Sequence, residues 1–546
     1  MNEFIEKILN IKDGTTLSLE KDKVYHVYDD DCIFLEGYYC SNTATKQENP
    51  NGFRKTALWL ENKNNVTIDG KGATLLIHGI MTPIVLKNCR NITIKNLCID
   101  YFRPTMSEFS VVQNENGICT LSINPESTFE IQDNVLVWCG EKKADGAFRW
   151  QNTYKNAHTL SMYFDPKTNC LQFLQKEEGD VFPSVPEFAS LERIGNNLLK
   201  ATLKNKNAFL PKGCVIQSRS VARDQIGGFF ERCRGLTFDN LRVMFFHGLG
   251  MLAQYCKNTV YQNCDFTPKQ GRTFSSNADF LHFSGCSGKI TVRGCRAYGG
   301  HDDFINIHGT HLKVVQADGE KKNITVRFAN ACSWGFQAFS RGDTVEFVQW
   351  DNLIPYFKTK VLRFERLNDT DIKLYLKKLP QSLQLDKDCV ANLTQTPSVC
   401  IKNNYFGYSA ARGVLCTTPK KTVIAENSFE DLAGPALLVE DDCNFWYESG
   451  YTKKILFKNN KVNRCGFAEN ETENLDIAVT PQVMDKTSKG FVHGTLKISG
   501  NIFSTVPGKR HLLKFYHIRT VRLKDNIFDA EYIVKTSPQE DRQKLA

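Results

Sequence analysis

Short runs of alternating apolar and polar residues recur along the chain, each closed by a small polar turn. "NNVTIDGKGATLLIHG" from Asn64, "CRNITIKNLCIDYF" from Cys89, "CRGLTFDNLRVMFFHG" from Cys233 and "CSGKITVRGCRAYGG" from Cys286 share this form. A period of two puts successive side chains on opposite faces of a strand. Toward the end of the chain, an Asn followed two residues later by Phe or Val marks the bends. It recurs at Asn404, Asn427, Asn460, Asn501 and Asn526, with gaps of 23, 33, 41 and 25 residues. Strands that repeat every twenty-odd residues predict a parallel β-helix, in which no single rung can bury its own inner face and rungs must stack. Asn suits such bends because it tolerates left-handed backbone and bonds locally. Inward Asn side chains can also form a ladder from rung to rung. An antiparallel sandwich also has many short strands, but it does not call for the repeated bend.

Two stretches break the theme. Residues 104–222 and 311–395 lack the bend motif and hold separated strand-like pieces with turn signals every 8 to 12 residues, as a small antiparallel barrel or sandwich would. The predicted fold is therefore all-β: a parallel β-helix with inserted small antiparallel β-barrel or sandwich domains. The division runs as follows: 1–103, cap and first rungs; 104–222, first insertion; 223–310, further rungs; 311–395, second insertion; 396–546, C-terminal rungs. The first sixty or so residues are expected to form a capping strand-and-turn segment, because a solenoid needs its open end covered.

Composition narrows the partners. With 69 Lys+Arg against 60 Asp+Glu, the +9 charge is mild and dispersed, and no basic tract suggests nucleic acid. The 19 cysteines are scattered without a CxxC pair, which fits buried reduced thiols better than a disulfide framework. The opening "MNEFIEKILN" lacks the apolar core of a signal peptide, and no run reaches the ~18 apolar residues of a membrane span. As written, the chain reads as cytoplasmic, or as periplasmic or secreted if a leader has been removed.

The chemistry concentrates in "GGHDDFINIHG", residues 299 to 309. Asp279 lies 23 residues before Asp302 and 24 before Asp303, about one rung. Stacked strands sit ~4.8 Å apart, so three carboxylates can converge on one face. Adjacent strand residues point to opposite faces, so Asp302 and Asp303 can share a cleft only at a bend, which Gly299 and Gly300 permit. Crowded like charges raise at least one carboxyl pKa, which is what acid and base roles in glycosidic hydrolysis need. Inverting enzymes separate the two carboxyls by about 6.5–9.5 Å, and a splayed rung spacing is expected to supply that distance. A calcium site or a capped turn is the competing account of the cluster.

These residues resemble a known family. "NADFLHFSGCSGKITVRGCRAYGGHDDFINIHGT", with "NVTIDGKGATLLIHG" and "VEDDCNFWYESGYTKKILFKNN", is similar to glycoside hydrolase family 110, the exo-acting α-1,3-galactosidases. The resemblance spans most of the β-helix and is weakest in the insertions. It implies a right-handed parallel β-helix and an inverting mechanism with neither metal nor cofactor. Asp302 would be the general acid, and Asp279 and Asp303 would position and deprotonate the water. The implied substrates are glycans with terminal α-1,3-linked galactose, of blood group B type or linear.

Position supplies binding candidates. Trp446 and Glu448 follow a late rung and suit a sugar pocket, where rings stack on the apolar face of the sugar and polar groups grip hydroxyls. Asn277 and Arg272 lie just upstream of Asp279; a rung bend and an exposed loop charge are their bland alternatives. Asn306, His308 and Arg412 are further candidates, each open to a ladder, core or surface role. A hydrolase or lyase of acidic polysaccharides, related to polygalacturonases, is the alternative enzyme. A non-catalytic glycan-binding β-helix is the alternative outside enzymology. The flat faces of a solenoid also allow a homo-oligomer.

Overall fold

The computed structural model describes residues 2–154, 159–174, 185–468, 472–485, 487–536 and 544–545. Three parallel sheets, two of 12 strands and one of 11, run the length of the molecule, with one strand from each sheet per rung. This is a parallel β-helix. Alternation in the sequence becomes alternation in burial: along Pro397–Lys402 the side chains of Val399 and Ile401 enter the core while those between them do not.

One apolar core fills the solenoid from Phe4 to Val521. Aromatic rings stack along it, with centroids 5.0 Å apart for Phe280–Phe304, 5.1 Å for Phe304–Phe406 and 5.3 Å for Phe406–Phe429. Beside them runs the asparagine ladder. The side-chain amide of Asn404 donates to Asn427 at 2.9 Å, Asn427 to Asn460 at 3.0 Å, Asn460 to Asn501 at 3.1 Å and Asn501 to Asn526 at 2.8 Å. The same amides also donate to the carbonyls of Val292, Ile401, Ile424 and Phe457. Leaving one such buried polar group unpaired costs about 1–3 kcal/mol, so the ladder enforces the register of the rungs. The left-handed backbone does not fall on the ladder residues. It falls on the residue before each: Asn403, Glu426, Asn459, Gly500 and Asp525 have φ between 54° and 64°. The bend thus divides two tasks between two adjacent positions.

The first sixty residues are strands and turns, as expected, except at their start. A helix, α1 (Glu3–Leu9), opens the chain, with Asn2 capping it by accepting from the Phe4 amide at 3.0 Å. Phe4, Ile5 and Ile8 on one face of α1 seal the core at the first rung.

Between Cys98–Tyr101 and Gly228–Glu231 lie an antiparallel seven-stranded sheet, running from Met106–Glu115 to Val215–Ser220, and a three-stranded one. They share a core of their own around Phe109, Trp138 and Leu199. After Ile305–Thr310, six antiparallel strands close into a barrel, from Leu312–Asp318 to Cys389–Asn392. The solenoid closes over both interruptions: Gly228–Glu231 pairs in parallel with Ile84–Lys87, and Val414–Cys416 with Ile305–Thr310. The described cysteines carry free thiols and most are buried. No helix among the described residues is long and apolar enough to cross a membrane.

Candidate active site

One of the 12-stranded sheets, which holds Leu281–Ser284, Ile305–Thr310 and Val414–Cys416, positions the chemistry. Leu281 pairs with Ile305, and Ile305 with Val414. Two residues upstream on each rung stand Asp279, Asp303 and Arg412, which the pairing stacks in one column. Gly299 and Gly300 prepare the turn. Gly299 has φ +78°, and a Cβ at Gly300 would come within 2.3 Å of the Phe280 ring. Bare backbone there lets the chain turn tightly, and both Asp302 and Asp303 reach the same pocket.

That pocket has a volume of about 300 Å³, the low end for ligand sites. Its floor is Asp279, Asp302 and Asp303, which each offer an oxygen within 4.8 Å of the others'. Stacked strands keep carboxyls one rung apart close together.

Each carboxylate meets a different neighbour. Arg412 grips Asp303 at two points, Nε to Oδ1 at 2.7 Å and Nη2 to Oδ2 at 2.9 Å. Burial, with the charges of Asp302 and Asp279, drives the Asp303 carboxyl well above the usual carboxylate range although Arg412 opposes it; the close ion pair with Arg412 nevertheless favours the ionised form here and outweighs the burial. Asp279 Oδ2 meets His282 Nδ1 at 2.7 Å. Burial works to raise Asp279, but the His282 hydrogen bond and the charges of His282, Arg223 and Arg412 hold it below the usual carboxylate range. Asp302 is 28% exposed, and its nearest cation is Arg223 at 3.5 Å. Burial and the Asp279 charge push Asp302 above the usual range, with Arg412, Arg223 and Arg219 opposing. Of the three, Asp302 is the carboxyl suited to hold a proton. The trio is also close enough to gather a cation, a role that the guanidiniums of Arg412 and Arg223 fill electrostatically.

The walls bring together distant segments. Asn306, Arg412, Trp446 and Glu448 line the pocket. Burial and the Asp279 charge carry the Glu448 carboxyl up to about 7, against His282 and Arg412; Asn42 donates to it at 2.8 Å. Trp446 sits on a loop held by Asp442, whose carboxylate accepts from the amides of Asn444, Phe445, Trp446 and Tyr447. Phe445, 70% exposed, stands beside Trp446 at the mouth.

Three sequence candidates lie elsewhere. Arg272 is buried and bound to Asp100 at 2.7 Å and to Glu126, which ties the first insertion to the solenoid. Asn277 is fully buried and does not line the pocket. His308 lies behind His282, with its Nε2 2.7 Å from that ring, and is shielded from the pocket.

Residue-by-residue reasoning missed Asn42, Arg223, His282, Glu440, Phe445 and Gln482, all on the pocket wall. His282 carried a local signal: it follows Asp279 by three residues in "ADFLHF". Asn42 and Arg223 carried none, since the N-terminal segment and the exit of the first insertion reach the site only by docking.

Known proteins place the chain. Residues 323–390, within the closed barrel, match a family model described as GLAA-B β-barrel domain II. Alpha-1,3-galactosidase A of Bacteroides fragilis is 32% identical over 86% of this chain and 74% of its own length. The Bacteroides thetaiotaomicron protein of the same name is 32% identical over 85% of this chain and 78% of its own. Alpha-1,3-galactosidase B of that organism is 30% identical over 92% and 79%. Likeness of this extent makes this chain a member of the α-1,3-galactosidase family, glycoside hydrolase family 110.

Proposed function

We propose that the protein removes terminal α-1,3-linked galactose from glycans, of blood group B type or linear, with inversion at the anomeric carbon. The observation that carries this is the convergence of three carboxyls, each with a different partner, on the floor of a pocket sized for one sugar. Asp302 gives its proton to the glycosidic oxygen as the bond to C1 breaks. Oxygens within 4.8 Å of one another can share one water, at about 2.7 Å from each. Asp303, held at both oxygens by Arg412, orients that water, and Asp279 takes its proton through the oxygen that His282 leaves free. The new C1–O bond forms opposite the leaving group. Water then returns the proton from Asp279 to Asp302. Trp446 offers its ring to the apolar face of the sugar, and Glu448, Asn42 and Asn306 meet the hydroxyls.

A galacturonide substrate suits the pocket poorly. Arg412 and Arg223 already face Asp303 and Asp302, and Glu440 and Glu448 add acidity. Retention is the second reading, favoured by the closeness of the trio, whose nearest oxygens lie within 4.8 Å of one another. Against it, Asp279 is tied by a hydrogen bond to His282 and Asp303 by Arg412, and both contacts blunt a nucleophile. NMR of fresh product separates the two. β-Galactose appears first under inversion; initial α-galactose refutes it. Turnover of an α-galacturonide but not an α-galactoside would overturn the substrate assignment.

A further inference from the structure

Behind Asp279 runs a line of hydrogen bonds that the reaction scheme has not used. His282 Nδ1 lies 2.7 Å from Asp279 Oδ2, and His282 Nε2 lies 2.7 Å from His308 Nε2. His308 Nδ1 lies 2.5 Å from the carbonyl oxygen of Gly309. The two rings meet edge to face, 85° apart, and both are buried. The strand pairing builds the line, since Leu281–Ser284 lies alongside Ile305–Thr310 with Ser284 opposite His308.

Counting protons decides its charge. Three hydrogen bonds in series need three protons. The Gly309 carbonyl can only accept, so His308 Nδ1 carries a hydrogen. Two neutral imidazoles bring one hydrogen each and an ionised carboxylate brings none. A third proton must therefore reside on Asp279, His282 or His308. The charge belongs on the ring that meets a carboxylate: His282 faces Asp279 at 2.7 Å, whereas His308 faces the neutral Gly309 carbonyl and burial disfavours its charged form. Asp279 faces Arg223 and Arg412 as well as His282, a setting for a carboxylate.

We infer that His282 is an imidazolium in the resting enzyme, oriented by His308 and the Gly309 carbonyl, and acts as the positioning residue that keeps Asp279 ionised and ready to take a proton. The division of labour on the floor then has one physical cause. Asp303 is neutralised by Arg412 and Asp279 by His282. Asp302 has the longer contact to Arg223 and is the carboxyl placed to hold a proton. The groups facing this line are Arg223, Arg412, Asp302 and Asp303 around Asp279, and Glu448 beside His282 and His308.

The inference rests on Asp279 as the base, but its first test needs no substrate. Histidine-selective ¹⁵N labelling of the full chain, with His282 assigned through His282→Asn, reads its ring nitrogens between about pH 5 and about pH 8. Two protonated nitrogens are expected in the resting enzyme; one protonated and one bare nitrogen throughout overturns the inference. The second test is kinetic. Asn at 282 can still donate to Asp279 but cannot carry charge. Without its positive neighbour Asp279 holds a proton more tightly, so the acid limb of kcat/KM moves up by about one pH unit or more. An unmoved limb with lowered activity would reduce His282 to a structural role and sink the inference. A wild-type enzyme inert toward α-galactosides would sink the functional reading and leave the NMR result standing.

Discussion

Asp302→Asn tests the reaction scheme at its centre. Asn has the shape of Asp but cannot supply a proton. The side chain is 28% exposed at the pocket floor, so the substitution disturbs no packed core. It should also be tolerated electrostatically. Two full charges at the 4.8 Å limit of the cluster, in an effective dielectric of about 20, repel by about 3.5 kcal/mol. The wild type meets that repulsion only once Asp302 ionises and the Asn variant never does, so Tm should match the wild type where Asp302 holds its proton and exceed it at higher pH. Proton donation to a leaving group contributes about 10²–10⁴-fold, which is about 2.7–5.4 kcal/mol at 1.36 kcal/mol per decade. A sugar leaving group needs that proton; dinitrophenolate does not. Steady-state kcat/KM should therefore fall by about 10²–10⁴-fold on an α-1,3-galactosyl disaccharide and by less than about 10-fold on dinitrophenyl α-galactoside. Wild-type activity on the disaccharide should decline as pH rises past the point where Asp302 ionises, and the variant should lack that limb. Equal losses on both substrates, with Tm unchanged, would refute Asp302 as the acid.

The salt bridge at the floor and the wall carboxyl give two further expectations. Arg412→Met leaves Asp303 buried without its cation, and losing one partner of such a pair costs about 3–5 kcal/mol; the Tm penalty should grow with pH, because protonating Asp303 relieves it, and a penalty independent of pH would contradict the pairing. Glu448, raised to about 7, binds its proton more tightly folded than unfolded, so its ionisation draws down stability as pH climbs from about 4.5 through about 7. Glu448→Gln should match the wild-type Tm near pH 5 and exceed it near pH 8, by up to about 3 kcal/mol in stability; parallel Tm curves for the two proteins would count against a buried, protonated Glu448.

The architecture was legible because a solenoid is written locally. Period-two alternation, the recurring Asn bends and the two stretches lacking them are features of neighbouring residues. Stacking converts their repeat length directly into proximity. The same arithmetic brought Asp279 to Asp302 and Asp303, whose spacing matches one rung and whose strands pair with the offset the count implies. Arg412 met Asp303 by the same rung logic carried across the barrel.

Side-chain partnership was another matter. Arg272, seven residues before Asp279, turns away to Asp100 and Glu126, because a buried guanidinium must go where carboxylates are. His308, open from the sequence to a pocket or a core role, backs His282. Arg223 and Asn42 enter from the exit of the first insertion and from the N-terminal segment. Where those segments dock depends on surfaces that no local pattern encodes. The chain's own periodicity therefore set the column of acids. The choice of which acid keeps its proton came from folding, because it depends on which cation each carboxyl meets, and those cations arrive from remote parts of the chain.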